Sequence, residues 1–163
     1  AGSYRVVVES DRGNPVQVTA FVRTAVAPTL VAFADTCASA VLIGEAGGFF
    51  QGNTANAAAD YSSGCDVAGS GGAGGPDQML KLVLTTKKRV IFDMQGSGYA
   101  TLLDVRKGPS CPGLEVVQGC SVGYTASRSF LDLTLEPGTY WVQVDGYGGE
   151  AGPWFLDVRA VNL

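Results

Sequence analysis

Residues 137–161 read PGTYWVQVDGYGGEAGPWFLDVRAV. Pro137-Gly138 marks a turn, after which Tyr140, Val142 and Val144 recur at every second position. Beyond DGYGGEAG the alternation resumes with Trp154, Leu156 and Val158. A period of two puts such side chains on one face of an extended chain. The stretch is therefore a β-hairpin with one apolar side. Asp145-Gly146 and Gly148-Gly149 supply turn chemistry. Tyr147 falls at the tip of that turn, with Trp154 expected nearby. An exposed aromatic there can stack on a sugar or anchor a protein partner, or it can merely cover the end of the fold.

Upstream, the same reading repeats. QMLKLVL (78–84) and RVIFDMQ (89–95) alternate around a TTKK turn. YATLLDVRKG (99–108) and the short LEVVQGC (114–120) follow. RSFLDLTL (128–135) sets Leu131, Leu133 and Leu135 apart from Phe130. TCASAVLI (36–43) suits a buried strand or a short helical turn, and GGFFQGNT (47–54) an aromatic strand. Residues 55–76 are Gly- and Ser-rich and read as a long surface loop. No amphipathic helix of ten residues emerges. About eight strands from Cys37 onward, with Gly or Pro between them, predict an all-β fold: a jelly-roll-like sandwich of two sheets.

The opening residues echo the closing ones. Gly2, Tyr4, Val6 and Val8 align with Gly138, Tyr140, Val142 and Val144. Pro15 then matches Pro153, and Val16, Val18 and Ala20 keep phase with Trp154, Leu156 and Val158. Residues 1–24 thus read as the last hairpin of a preceding copy, 25–34 as a linker and 35–163 as a complete domain. The chain reads as a mature or excised product. A lone hairpin is marginal in water, and its apolar face and open edge need covering. It is a remnant of a tandem array, an addition to this domain's own sheet, or a strand donated to the next molecule. The last would use Tyr4, Val6, Val8, Val16 and Val18 and would propagate head-to-tail.

The composition narrows the functional classes. The chain has 163 residues, 23 of them Gly, with 16% charged residues and a net charge of −4. Lys87-Lys88-Arg89 stands between two strands and reads as a solvated turn. Without a broad basic footprint, nucleic acid is not an expected partner. No run of about 18 apolar residues predicts a membrane span. The four cysteines, Cys37, Cys65, Cys111 and Cys120, allow three pairings. Proximity favours Cys111–Cys120, which leaves Cys37–Cys65. The sequence alone does not choose, and four free thiols is the competing reading. There is no His and no C-x-x-C spacing, which argues against zinc. Disulfides would imply secretion or the cell surface.

In order, FADTCASAVLI, FFQGNT, ADYSSGC, GGPDQMLKLVLTTKKRVIFDM, YATLLDVRKGPSCPGLEV and LEPGTYWVQVDGYGGEAGPWFLDV resemble the bacterial pre-peptidase C-terminal domain family. The likeness is to its disulfide-bearing repeat form and covers Asp35 to Val161. It implies a small jelly-roll sandwich without catalytic activity, accompanying secreted proteases and surface proteins. Some related domains bind calcium, polysaccharide or protein fibres. The resemblance also implies the pairings Cys37–Cys65 and Cys111–Cys120. Where relatives carry an acidic pair after the fourth cysteine, this chain has Ser121-Val122-Gly123, which weakens the case for calcium at that loop.

Catalysis finds no motif. The absence of His removes the commonest general base. A carboxylate pair would fall to Asp93 and Asp104, each of which reads as a polar residue on a half-buried strand. Calcium would need six to eight oxygens. Asp60, Asp66 and Asp77 flank the long loop and are the candidate ligands, with solvated loop carboxylates as the competing reading. The expectation is a non-catalytic secreted or surface module, a filament subunit joined through its first hairpin. The alternative is an accessory module of a secreted hydrolase that adheres to a glycan or an extracellular protein.

Overall fold

A computed structural model describes residues 27–66, 74–123 and 128–163. The alternating stretches become strands: β1 (Thr29–Val31), β2 (Val41–Ile43), β3 (Gly47–Asn53), β4 (Gln78–Leu84), β5 (Lys88–Asp93), β6 (Thr101–Lys107), β7 (Leu114–Val122), β8 (Phe130–Leu135), β9 (Gly138–Gly146) and β10 (Pro153–Asn162). They form two five-stranded sheets. Sheet A runs β1-β3-β10-β5-β8 and sheet B runs β2-β4-β9-β6-β7. Neighbours are antiparallel except β1 on β3 and β2 on β4, which are parallel. The fold is an all-β sandwich, as the alternation predicts.

The period of two decides the core. Leu80, Leu82 and Leu84 of β4 meet Val142 and Val144 of β9 on the inner face of sheet B, with Leu103 and Val105 of β6. Sheet A answers with Val90, Phe92, Leu131, Leu133, Trp154, Leu156 and Val158. Burying each such side chain contributes about 1.5–3 kcal/mol. The hairpin of residues 137–161 is split between the layers: β9 is central in sheet B and β10 central in sheet A. It is a corner from one sheet to the other, not a paired ribbon: β9 pairs on both sides with β4 and β6, and β10 with β3 and β5.

Other departures from the sequence reading are local. Among the described residues, nine strands lie from Cys37 onward. TCASAVLI divides into a 3-10 turn at Cys37–Ser39 and the short β2, whose Leu42 is exposed. Thr29–Val31, expected as linker, pairs with Phe50–Gly52 as the edge of sheet A. The hairpin expected over 1–24, with Tyr4, Val6, Val8, Val16 and Val18, lies outside the described residues. No helix among the described residues is long and apolar enough to cross a membrane.

The disulfide pairing is corrected. The bonds are Cys37–Cys111 and Cys65–Cys120, with Cα–Cα distances of 5.8 and 5.9 Å. Cys111 sits in the turn before β7, whereas Cys120 lies six residues beyond the start of that strand. At about 3.3 Å per residue, extended chain carries the two roughly 20 Å apart, beyond disulfide reach. Closeness in sequence misleads here because a strand separates the two cysteines. Two disulfides fit an oxidising compartment outside the cytoplasm.

Candidate functional site

The long connections gather at one end of the sandwich. Strands β3 and β5 finish there and β4, β6 and β10 begin there, so the segments 32–40, 54–77, 94–100 and 147–152 all emerge on that side. At the other end, among the described residues, three of the four connections have two or three residues, and 108–113 has six. Long loops held by a rigid scaffold are where binding residues concentrate.

Part of the 54–77 connection folds back over the outer face of sheet B. Tyr61 O accepts a bond from Gln143 Nε2 at 2.9 Å, and Gly64 N donates to Glu115 Oε1 at 2.5 Å. Arg106 donates to Ser62 O and pairs with Asp104 at 2.9 Å. Both disulfides run from this covering segment or its flank to the β6–β7 hairpin. Outward-facing Met79, Leu102, Asp104, Gln143 and Asp145 are consequently buried.

Burial without full compensation raises the acids of this layer. Asp77 Oδ2 accepts from Asp60 N at 3.0 Å and Tyr61 N at 2.9 Å. Burial nevertheless pushes its carboxyl up to about 7, against those two bonds and with the nearby Asp60 and Asp35 charges adding to the rise. Asp145 bonds to Gln143 Nε2 and Gly146 N. It is pushed up to about 8, chiefly by burial and further by the Asp77 and Asp66 charges. Asp104 rises to about 6 through burial, opposed by Arg106. Gly74 and Gly75 press against the Asp145 carboxylate: a Cβ at either would stand 2.7 or 2.9 Å from its oxygens. Only glycine leaves room for this contact.

Among the described residues, no three of the predicted calcium residues Asp60, Asp66 and Asp77 and their neighbour Asp145 bring carboxylate oxygens within 4.8 Å of one another. Asp77 is an acceptor for loop N–H groups, Asp60 supplies one of those donors, and Asp66 Oδ1 accepts from Gly148 N at 3.2 Å. Asp145 feels the charges of Asp77 and Asp66, a neighbour hidden in the sequence because Asp-Gly reads as turn chemistry. Asp104, Glu115 and Cys120 do bring ligand atoms within 4.8 Å of one another. Cys120 is in a disulfide there and Arg106 neutralises Asp104, so that group is an ion-pair cluster.

Asp93 and Asp104 lie in different sheets, each beside an arginine: Arg128 grips Asp93 at 2.9 and 2.8 Å, and Arg106 holds Asp104. They do not form a carboxylate pair. Trp154 is fully buried and donates to Gln78 Oε1 at 2.8 Å, so it is a core residue, unavailable to an external ligand. Tyr147 is half-buried, and the exposed tip of its turn is Gly148-Gly149.

A cavity of about 450 Å³ opens at the edge of sheet A, where β1 and β3 end. Its walls include Phe33, Asp35, Gln51, Asn53, Asn56 and Gln78. Phe33 is 86% exposed and the adjoining Leu30 71%. Sequence reading missed this site. Leu30 and Phe33 fall in the stretch expected as linker, and the amides carry no spacing motif.

No family model matches the chain, and no curated protein does. Among solved structures it is similar to the pre-peptidase C-terminal domain of a collagenase from Bacillus anthracis. The identity is 9% and the TM-score 0.46, over 83% of this chain and 100% of that one. It is also similar to PliG of Aeromonas hydrophila, a periplasmic inhibitor of g-type lysozyme. There the identity is 15% and the TM-score 0.47, again over 83% of this chain and 100% of that one.

Proposed function

We propose that the chain is a non-catalytic accessory module of a secreted or surface protein, holding it to an extracellular glycan or protein. The observation that carries this reading is the loop-bearing end of a disulfide-stapled sandwich, with an open cavity beside the exposed Leu30 and Phe33. Uncovered apolar groups rimmed by polar ones mark interaction sites. Tyr147, at the same end, is a second proposed contact. The test is retention of the full chain on insoluble polysaccharide, cell-wall material and immobilised gelatin. Failure to be retained on any of these surfaces overturns the reading.

Self-assembly is the second reading. Its support is the sheet edges that have no partner strand among the described residues: β7, nine residues long with Leu114 and Val117 exposed, and β1, with Leu30 exposed. Such edges accept an added strand, and residues 1–24 would donate it. Light scattering at two concentrations, with and without residues 1–24, decides the matter. Identical monomers in all four samples end the filament reading.

A further inference from the structure

We infer that the cavity at the β1–β3 edge binds an uncharged pyranose ring of an extracellular glycan, an inference that rests on the binding-module reading and names its ligand. The volume of about 450 Å³ falls within the range of small-molecule sites. Neither Lys nor Arg is among the lining residues, so an anionic ligand would meet no counter-charge. Asp35 is the one carboxylate there. The remaining polar side chains are amides, which carry both donors and acceptors. A sugar hydroxyl also donates and accepts, so vicinal hydroxyls complement this lining.

The amides are already oriented. Trp154 Nε1 donates to Gln78 Oε1 at 2.8 Å, Ala55 N to Asn53 Oδ1 at 2.9 Å, and Ala58 N to Asp35 Oδ1 at 2.7 Å. Each donor is an N–H without acceptor capacity, so the bonds settle which end of each amide is oxygen. That leaves the –NH₂ groups of Gln78 and Asn53 as donors, and Asp35 Oδ2 as an acceptor. Gln78 is only 3% exposed and yet lines the cavity, so its amide is a buried polar group held in place before any ligand arrives. The side chains of Gln51 and Asn56 have no hydrogen-bond partner among the described residues and remain free to bond. Gly52 makes the floor possible: a Cβ there would lie 2.4 Å from the Trp154 ring and 2.7 Å from Gln78 Oε1. At the mouth, the exposed Phe33 ring offers a flat apolar face to the C–H side of a pyranose.

The experiment titrates the full chain with cellohexaose, chitohexaose, maltohexaose and xylohexaose, reading tryptophan fluorescence and calorimetry. Gelatin retention serves as the protein arm. At least one neutral oligosaccharide should bind and shift the tryptophan emission, since Trp154 bonds directly to a cavity residue. Phe33→Ala and Gln51→Ala should each weaken binding about tenfold or more with Tm unchanged. Sugar binding that survives both variants, or falls instead on Tyr147→Ala, places the sugar elsewhere. That overturns the inference and leaves the module reading standing. Retention on gelatin with no sugar bound does the same. Absence of binding to every sugar and surface takes both down.

Discussion

The two outer faces of the sandwich are built from the same alternating pattern and meet different fates. On sheet A, Ile91 and Asp93 are buried, but most outward residues reach solvent in part and several pair with one another. Arg89 meets Asp132 at 2.6 Å, Arg159 meets Asp157 at 3.2 Å, and Phe49 stacks on Phe155 at 5.8 Å. On sheet B, outward Met79, Leu102, Asp104, Gln143 and Asp145 lie under a covering loop fastened by two disulfides. A polar residue every second position therefore does not by itself mean a wet face. The irregular chain elsewhere in the sequence decides whether that face is covered.

Cutting the staple should separate the faces most strongly. Removing Cys65–Cys120 by paired Ser substitutions opens a loop of 55 residues. The chain-entropy cost is roughly 4 kcal/mol, and a fall in Tm of about 10 °C should follow in calorimetry. An unchanged Tm would mean the loop layer adds nothing.

The pH profile sharpens the contrast next. Asp77 and Asp145 hold their protons up to about 7 and about 8 when folded, whereas an unfolded Asp loses its proton near 4. Between those values the folded state binds more protons, so stability falls as pH rises from about 4 to about 8. Asp145→Asn should flatten that decline and be more stable than wild type at pH 8. Urea melts across the range measure it, and a wild-type profile that rises throughout contradicts it.

Sheet A should respond least. Arg89→Ala breaks an exposed pair, held together by hydrogen bonding that raises Arg89 and lowers Asp132. Such pairs are screened and contribute little, so no resolvable change in Tm is expected. A drop approaching that of the disulfide variant would erase the distinction between the faces.

What was legible in the sequence follows from what is local. Leu131, Leu133 and Leu135, or Tyr140, Val142 and Val144, declare their face through spacing alone, and all are buried. Of the basic triplet read as a turn, only Lys87 lies in one, where it meets Glu136 at 2.6 Å; Lys88 and Arg89 open β5, and Lys88 meets Asn162 at 2.7 Å. The loop layer was illegible because its Gly-Ser composition has no period and its contacts are distant in sequence, as between Tyr61 and Gln143. Trp154 looked available because it neighbours a turn, yet its place in the alternation already assigned it to the core. The cavity rests on backbone geometry that brings residues 30–35 against 51–56, and no single stretch announces it.

The pairing of the cysteines is the most direct test of the covering layer. Trypsin leaves Cys37 and Cys65 together in residues 24–81, and Cys111 with Cys120 in residues 108–128. Non-reducing mass spectrometry should find these two peptides joined. Cleavage after Glu45 and Glu115 should then resolve Cys37–Cys111 from Cys65–Cys120. Two separate peptides, each closed on itself, would contradict the account.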